Sequence, residues 1–365
     1  MTHIRIIWFS HKDIKHPNNG GAEKTIFEVG KRLVQQGNEM KWFSVVSDSL
    51  TSSESLSGIS LIRLPSNIVA HLMVPFILAK EKYDVVVDDM GHAVPWGSEN
   101  FQRARGTVFF RHLHRRSLKG QVSLPEAFLI SGIEALYPLI YRSWPFVTES
   151  GSSIDDLVRL GIRKERIVKI PPGLNEENFK TYEKSVNPAI VYYGGMRDYK
   201  RPWEALYICN EIRKSFPDTH LYMVGSGSSM EKVKNLATQM NLNSYVTFTG
   251  RLNESELRKV VGQSWVNIHS SIAEGFGYSV IEASALGTPT VAYEVPGINE
   301  SIYKGLNGIL VADGDRNKMI EAVIRILEEG PQRWVSSSVE VAKKYSWERT
   351  ADLWQKHLED VKQYN

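Results

Sequence analysis

The sequence predicts an α/β protein of two halves, each built on a parallel sheet. Three observations carry this reading. The chain has 365 residues, more than the roughly 250–300 that a single core serves, so two domains are the default. Short apolar runs alternate with segments of helical period along nearly the whole length. The opening stretch, from Ile4 to Ser44, reads strand, glycine loop, helix, strand, which is a βαβ unit.

In the first half, Ile4–Phe9, Met40–Ser44, Val85–Val87, Thr107–Phe110 and Phe146–Thr148 read as strands. The first helix lies in "GGAEKTIFEVGKRLVQQG". Ile26, Val29 and Leu33 recur at helical spacing there, and Gly37 stands where a helix ends. The second half repeats the rhythm with strands at Ala189–Tyr193, His220–Val224, Val246–Thr249, Val266–His269, Thr290–Ala292 and Gly308–Val311. Several are continuous apolar runs, as strands buried on both faces should be. "PPGLNEENFKTYEKSVNPA", Pro171 to Ala189, is proline-, glycine- and charge-rich and marks the boundary. The expected division is 1–178, 179–345 and a terminal amphipathic helix in 346–365.

Composition excludes several classes. With 42% hydrophobic and 23% charged residues, the chain is of ordinary globular type. A net charge of +3 does not argue for nucleic acid as a partner. The single cysteine, Cys209, can form no disulfide within the chain and sits in a helical, core-like context. The apolar run at the N-terminus is too short for a secretory signal, and no stretch is long enough to span a bilayer. A cytoplasmic protein is expected, with peripheral contact to the inner membrane surface left open. No H-E-x-x-H, cysteine set or paired-aspartate pattern calls for a metal.

The densest chemistry lies in "SIAEGFGYSVIEASALGTPTVA", Ser271 to Ala292. Glu274 follows a strand, at the edge where open α/β sheets bind ligands. Gly275 and Gly277 remove side chains, so backbone N–H groups can approach an anion. Ser279 reads as the N-cap of the following helix, whose positive end attracts phosphate. Glu282, one turn in, can accept two hydrogen bonds from a vicinal diol such as a ribose.

The full string "EGFGYSVIEASALGTPTVA" resembles the E-x7-E signature of the family-4 glycosyltransferases, which have the GT-B fold. Matches fall at Glu274, Gly275, Phe276, Gly277, Glu282, Ala283, Ala285, Gly287, Pro289 and Val291. "NNGGAEKTIFEVGKRLVQQGNEM" resembles the family's first glycine loop, and "VYYGGMRDYKRP" its phosphate-binding loop. The resemblance covers nearly the whole chain. It implies two Rossmann-like domains with parallel sheets facing across a cleft, an acceptor domain first and a donor domain second. It also implies a last helix that crosses back to the first domain.

The resemblance further implies site residues. Lys200 falls on the family's diphosphate-binding lysine. The arginine usual five residues earlier is replaced by Gly195, so Arg197 or Arg201 would have to serve. Gly20 and Gly21 would let backbone approach the diphosphate, and Tyr278 and Ser279 would lie in the donor loop with Phe276. His112 and His114, both after the strand at Thr107–Phe110, are candidates for a histidine near the sugar and the attacking hydroxyl, and the sequence does not choose between them. The basic group Arg111, Arg115, Arg116 and Lys119 is either a solvated rim or an attractor of anionic acceptors or lipid. "LPEAFLISGIEALYPLIYRSW" is apolar enough to be partly exposed, though a core helix is the preferred reading. "MVGSGSS" is a weak dinucleotide signal.

The expected function is retaining transfer of a sugar from a nucleoside-diphosphate donor, UDP before GDP, to a hydroxyl acceptor. A glycan, a lipid-linked sugar or a small glycoside would serve, and the acceptor could be membrane-associated. A phosphorylase or sugar-phosphate synthase is the alternative within enzymes. A catalytically silent sugar-nucleotide-binding module is the alternative of another class.

Overall fold

Ile6, Ile7, Trp8 and Phe9 are all buried, so the first strand is covered on both faces, as a central parallel strand must be. The computed structural model describes all residues except 1–2, 18, 48–49, 102–104, 115–122 and 364–365. The chain forms two compact units, residues 1–173 with 346–365, and residues 174–345.

Unit 1 holds β1 (Arg5–Phe9), β2 (Glu39–Val45), β3 (Ser53–Leu56), β4 (Ile59–Leu64), β5 (Val85–Met90), β6 (Gly106–Phe110), β7 (Phe146–Thr148) and β8 (Ile167–Lys169). They form an eight-stranded sheet in the order β3-β4-β2-β1-β5-β6-β7-β8. All pairings are parallel except β3 with β4. That hairpin was not read from the sequence. Ser57 and Gly58 join its strands with φ of 50° and 82°, the two positive values that a type I′ turn requires.

Its helices are α1 (Gly21–Gln35), α2 (Asn67–Lys80), α3 (Leu124–Ala135), α4 (Tyr137–Ile140) and α5 (Gly151–Arg159). On one sheet face, Ile7, Phe9, Phe43 and Phe110 pack with Val74 and Leu78 of α2, Ile133 of α3 and Tyr137 of α4. The preferred core reading for residues 124–144 is corrected here. Phe128, Leu129, Leu136 and Leu139 are exposed, because only the Ile133–Tyr141 end reaches the core.

Unit 2 holds β9 (Ala189–Tyr193), β10 (His220–Val224), β11 (Val246–Gly250), β12 (Val266–His269), β13 (Thr290–Tyr293) and β14 (Gly308–Val311). They form a parallel six-stranded sheet in the order β11-β10-β9-β12-β13-β14. Its helices are α6 (Trp203–Ile212), α7 (Met230–Gln239), α8 (Glu254–Gln263), α9 (Tyr278–Ala285), α10 (Arg316–Glu329) and α11 (Gln332–Ala342). The core gathers Ile190, Leu221, Ile268 and Val291 from the sheet with Leu206, Cys209, Val323 and Trp334. Cys209 is buried there, and burial pushes its thiol up to about 12.

The last helix, α12 (Trp347–Gln363), belongs to unit 1. Trp354 lies with its ring 4.9 Å from both Trp8 and Phe109, on the sheet face opposite α2. Arg32 donates to Glu348 at 2.7 Å and Asn38 to Gln355 at 2.7 Å, tying α12 to α1 and the turn after it. Trp354→Ala should therefore lower the stability of unit 1 by about 3–5 kcal/mol, the usual loss for a buried aromatic. Urea unfolding followed by far-UV circular dichroism measures it, and a loss below about 1 kcal/mol would mean that α12 is not part of this core.

Candidate active site

In an open α/β sheet, ligands gather at the carboxyl ends of the strands where the strand order reverses. In unit 2 the chain runs from β9 outward to β10 and β11, then returns to β12 and runs outward the other way. The reversal therefore lies between β9 and β12. Lys200 follows β9 and Glu274 follows β12, and their side chains form an ion pair across that point.

Local hydrogen bonds bring the two loops together. Ser270 Oγ donates to the carbonyls of Lys200 and Arg201 at 2.9 Å each, and Ile272 N donates to Tyr199 O at 2.8 Å. Arg201, at a left-handed φ of 48°, donates from its guanidinium to Ser270 O at 2.6 Å and Ser271 O at 3.0 Å, and pairs with Asp313. Arg201 is thus committed to the loop itself. The Arg197 side chain is exposed and makes no hydrogen bond or ion pair among the described residues.

All the named contacts to Glu274 use one oxygen. Lys200 Nζ, Ser271 Oγ at 2.7 Å and His269 Nε2 at 3.4 Å all meet Oε1, which leaves Oε2 without a hydrogen-bond partner among the described residues. Burial works to raise the Glu274 carboxyl, but the Lys200 ammonium and then His269 outweigh it and hold it well below the usual carboxylate range. Lys200 responds in kind. Burial works to lower it, and the Glu274 carboxylate keeps it above the ordinary lysine value. The pair is charged on both sides. His269 was not singled out in the sequence, although its place as the last residue of β12 carried the signal.

The helix after Glu274 starts two residues earlier than the sequence reading placed it. Gly277, not Ser279, is the N-cap, with φ 73° and ψ 47°. A side chain at Gly277 would meet Ile298 Cδ1 and Ser301 Oγ at 2.7 Å, so both conformation and space demand glycine. Ser279 is the second residue of α9, and its carbonyl accepts from the Tyr193 hydroxyl. Glu282 stands near that hydroxyl, which is pushed well up first by burial and then by the Glu282 charge. Gly275 and Gly277 flank Phe276, and Tyr278 begins α9. The Phe276 ring is not a lining group: it is buried against Tyr345, Leu174 and Ile281 and anchors the loop.

The G-x-G of "MVGSGSS" has a packing role. A Cβ at Gly225 would fall 2.0 Å from Gly194 O, and one at Gly227 2.3 Å from Met196 O. These glycines let the loop after β10 lie directly on the "GGMR" loop.

In unit 1 the strand order reverses between β1 and β5. Here the residues are imidazoles. His11, after β1, has its ring 4.4 Å from His92, after β5, and 4.6 Å from Trp96. His71 of α2 stacks on Trp96 at 4.5 Å. His114, after β6, lies 6.5 Å from His92 and 4.9 Å from His112. The fold fixes His114: its backbone N–H donates to Glu134 Oε1 at 2.6 Å, and its Nε2 meets Gly91 O at 3.1 Å. His11, His71 and His92 were missed in the sequence because they come from separate segments with no shared motif. Among the described residues, no three of His, Cys, Asp or Glu are placed to hold a metal ion.

Gly20 caps α1 in an extended conformation, Gly21 begins the helix, and Gly20 N donates to Glu23 Oε2 at 2.7 Å. Arg111 is not a solvated rim residue. It is buried, pairs with Asp89 at 2.6 Å and Glu149 at 3.1 Å, and donates to Ala22 O at 3.1 Å, which steadies the start of α1. Arg115, Arg116 and Lys119 lie outside the described residues.

Burial, then neighbouring imidazoles, push His11 down to about 2. Below about pH 6.5 the unfolded chain takes a proton at this histidine that the folded chain refuses, so stability falls as pH falls. The expected loss from His11 is about 1 kcal/mol between pH 6.5 and 5.5, the slope steepening toward about 1.4 kcal/mol per unit at lower pH. Urea denaturation of wild type and His11→Phe at pH 6.5 and 5.5 measures it. Equal slopes in the two proteins would show that His11 is not the source.

Comparison with known proteins agrees with this architecture. The family model described as "Glycosyltransferase Family 4" matches residues 19–178, and that described as "Glycosyl transferases group 1" matches residues 175–339. An uncharacterized glycosyltransferase of Methanocaldococcus jannaschii is 25% identical over 358 residues, 88% of this chain and 90% of that protein. Sucrose-phosphate synthase of Thermosynechococcus elongatus superposes with a TM-score of 0.80 at 20% identity, over 98% of this chain and 99% of that one. The Anabaena protein HepE, solved with UDP and glucose, gives a TM-score of 0.76 at 14% identity, over 98% of this chain and 100% of that one. The chain belongs to the family-4 glycosyltransferases, enzymes of the GT-B fold with two Rossmann-like parallel-sheet domains.

Proposed function

We propose that this glycosyltransferase moves a sugar from a nucleoside-diphosphate donor to a hydroxyl acceptor with retention of anomeric configuration. The observation that carries the reading is the Lys200–Glu274 pair at the strand reversal of unit 2. Lys200 would meet the diphosphate, where a fixed cation stabilises the charge that develops as the glycosidic bond breaks. Arg197, the cation that the loop leaves unengaged, would take the place of the arginine absent at Gly195. The start of α9 would receive a phosphate through its positive end, with Gly275 and Gly277 giving access. Glu274 Oε2 would accept from a sugar hydroxyl, and Glu282 from the ribose.

Glu274 is ion-paired and hydrogen-bonded, which makes it a poor nucleophile. A same-face displacement is therefore preferred, in which the departing diphosphate takes the acceptor's proton. In unit 1, His112 or His114 would hydrogen-bond the hydroxyl substrate. UDP is the favoured donor nucleotide, with support from HepE, which was solved with UDP and glucose. GDP is second. No resident cofactor is invoked.

A thermal-shift panel of UDP-, GDP- and ADP-sugars tests the donor. At ten times Kd, the right one should stabilise the protein by about 1.4 kcal/mol. Glu274→Ala and Lys200→Ala should each lower donor hydrolysis or transfer by about 100-fold or more. A panel without any response, or full activity in both variants, would overturn the reading.

The acceptor is proposed to be presented at a membrane surface. Ile68, Leu72 and Phe76 of α2 are exposed, as are Phe128 and Leu129 of α3, and both helices pack on the same sheet face. Helix α2 carries no acidic residue, and its one Lys or Arg is Lys80. Such faces suit an interfacial contact. No helix among the described residues is long and apolar enough to cross a membrane. Co-sedimentation with phosphatidylglycerol vesicles should occur for wild type and fall by about tenfold in the double variant Leu72→Asp, Phe128→Asp. Wild type that stays in the supernatant would remove this part of the proposal.

A further inference from the structure

His269 and Ser271 stand two residues apart at the end of β12, and both reach the same oxygen of Glu274. Ser271 Oγ lies 2.7 Å from Oε1 and His269 Nε2 lies 3.4 Å from it. Ser270, between them, donates instead to the carbonyls of Lys200 and Arg201. Successive side chains of an extended chain divide their contacts in this way. One short segment therefore has two tasks. Ser270 ties down the Lys200 loop, and its two neighbours meet the acid.

An imidazole is an unfavourable choice for this place. All four residues of β12 are buried, and His269 is 6% exposed. Asn267, the other polar residue of the strand, donates to Thr290 Oγ1 at 3.0 Å. His269 Nδ1 is buried with no hydrogen-bond partner among the described residues. Because Nε2 faces a carboxylate oxygen, it carries a hydrogen in either charge state of the ring. Nδ1 is then left as a bare lone pair or as an unpaired N–H. Either costs free energy that an apolar side chain of similar size would not. A group kept against the stability of its own fold marks a functional site.

We propose that His269 is a positioning residue for sugar transfer, which holds Glu274 Oε1 so that Oε2 faces the donor sugar. This role rests on the reading of Lys200 and Glu274 as donor ligands. Once a donor is bound, Lys200 has two anions to meet, the diphosphate and Glu274. As its ammonium turns to the phosphate, Oε1 would otherwise keep Ser271 alone. At 3.4 Å, His269 stands just beyond an ordinary hydrogen bond in the free protein. It closes on Oε1 in the loaded site, as contacts that are long in a free enzyme do. The carboxylate then keeps one orientation while the glycosidic bond breaks, with Oε1 toward β12 and Oε2 toward the sugar hydroxyl.

The test is a double-mutant cycle on donor hydrolysis by the full chain, with UDP-glucose, UDP-galactose, UDP-N-acetylglucosamine and GDP-mannose as donors. His269→Leu should lower kcat by about tenfold and change KM by less than about twofold, because the nucleotide is held elsewhere. His269→Gln, whose amide N–H can stand where Nε2 stands, should recover at least about a third of the wild-type rate. In the Glu274→Ala background, His269→Leu should slow hydrolysis by less than about twofold, since nothing is left to position. The urea midpoint of His269→Leu should equal or exceed that of wild type, whereas a residue kept for packing would lower it. The role is overturned if His269→Leu keeps the wild-type rate, if it slows both backgrounds alike, if His269→Gln is as slow as His269→Leu, or if the urea midpoint falls. Wild type that hydrolyses none of these donors would overturn the donor reading itself, and this role with it.

Discussion

Much of unit 2 is organised around one half-buried ion pair. A lone charge in that position would be costly, and a pair is tolerated only when its geometry and remaining hydrogen bonds are satisfied. For Lys200 and Glu274 the geometry is met because the loops that carry them are laced by Ser270, Ile272 and Arg201, while Glu274 Oε1 takes the contacts of Lys200, Ser271 and His269. The same lacing fixes where α9 can begin. Glycine at 277 then turns the chain into the helix, so the acid and the helix start are set by one short segment.

The two sheets use their strand reversals differently. In unit 2 the reversal holds opposite charges in contact. In unit 1 it holds imidazoles and an indole, with His11 kept neutral by its surroundings. The charged groups of unit 1 lie one layer below, where Arg111 joins Asp89 and Glu149 beneath the start of α1. One topology thus presents an ionic edge in one unit and a largely uncharged ring cluster in the other.

The central strands and most of the donor-loop residues were legible in the sequence because each is a local pattern. Ala189–Tyr193 is a continuous apolar run, and Glu274 to Val291 is a contiguous motif. What was not legible depends on contacts between distant segments. His11, His71 and His92 meet only because three connections end at one sheet edge. Arg111 looked like part of a basic run until its partners, 22 and 38 residues away, were in place. Strands β3 and β4 are short and partly polar, and their hairpin is marked chiefly by the Ser57–Gly58 turn. Phe276 matched its motif position, yet its ring serves the packing beneath the loop.

The return of α12 to unit 1 bears on how the protein is made. Residues 174–345 form one unit lying within the sequence of the other. During synthesis, strands β1 to β8 leave the ribosome long before Trp354 does. Until then Trp8 and Phe109 lack the indole that packs on them in the finished protein. The second unit can close as soon as it emerges, while the first must wait for the last stretch of chain. The half begun first is therefore the half completed last, and the nascent protein carries an uncovered aromatic face through most of its translation.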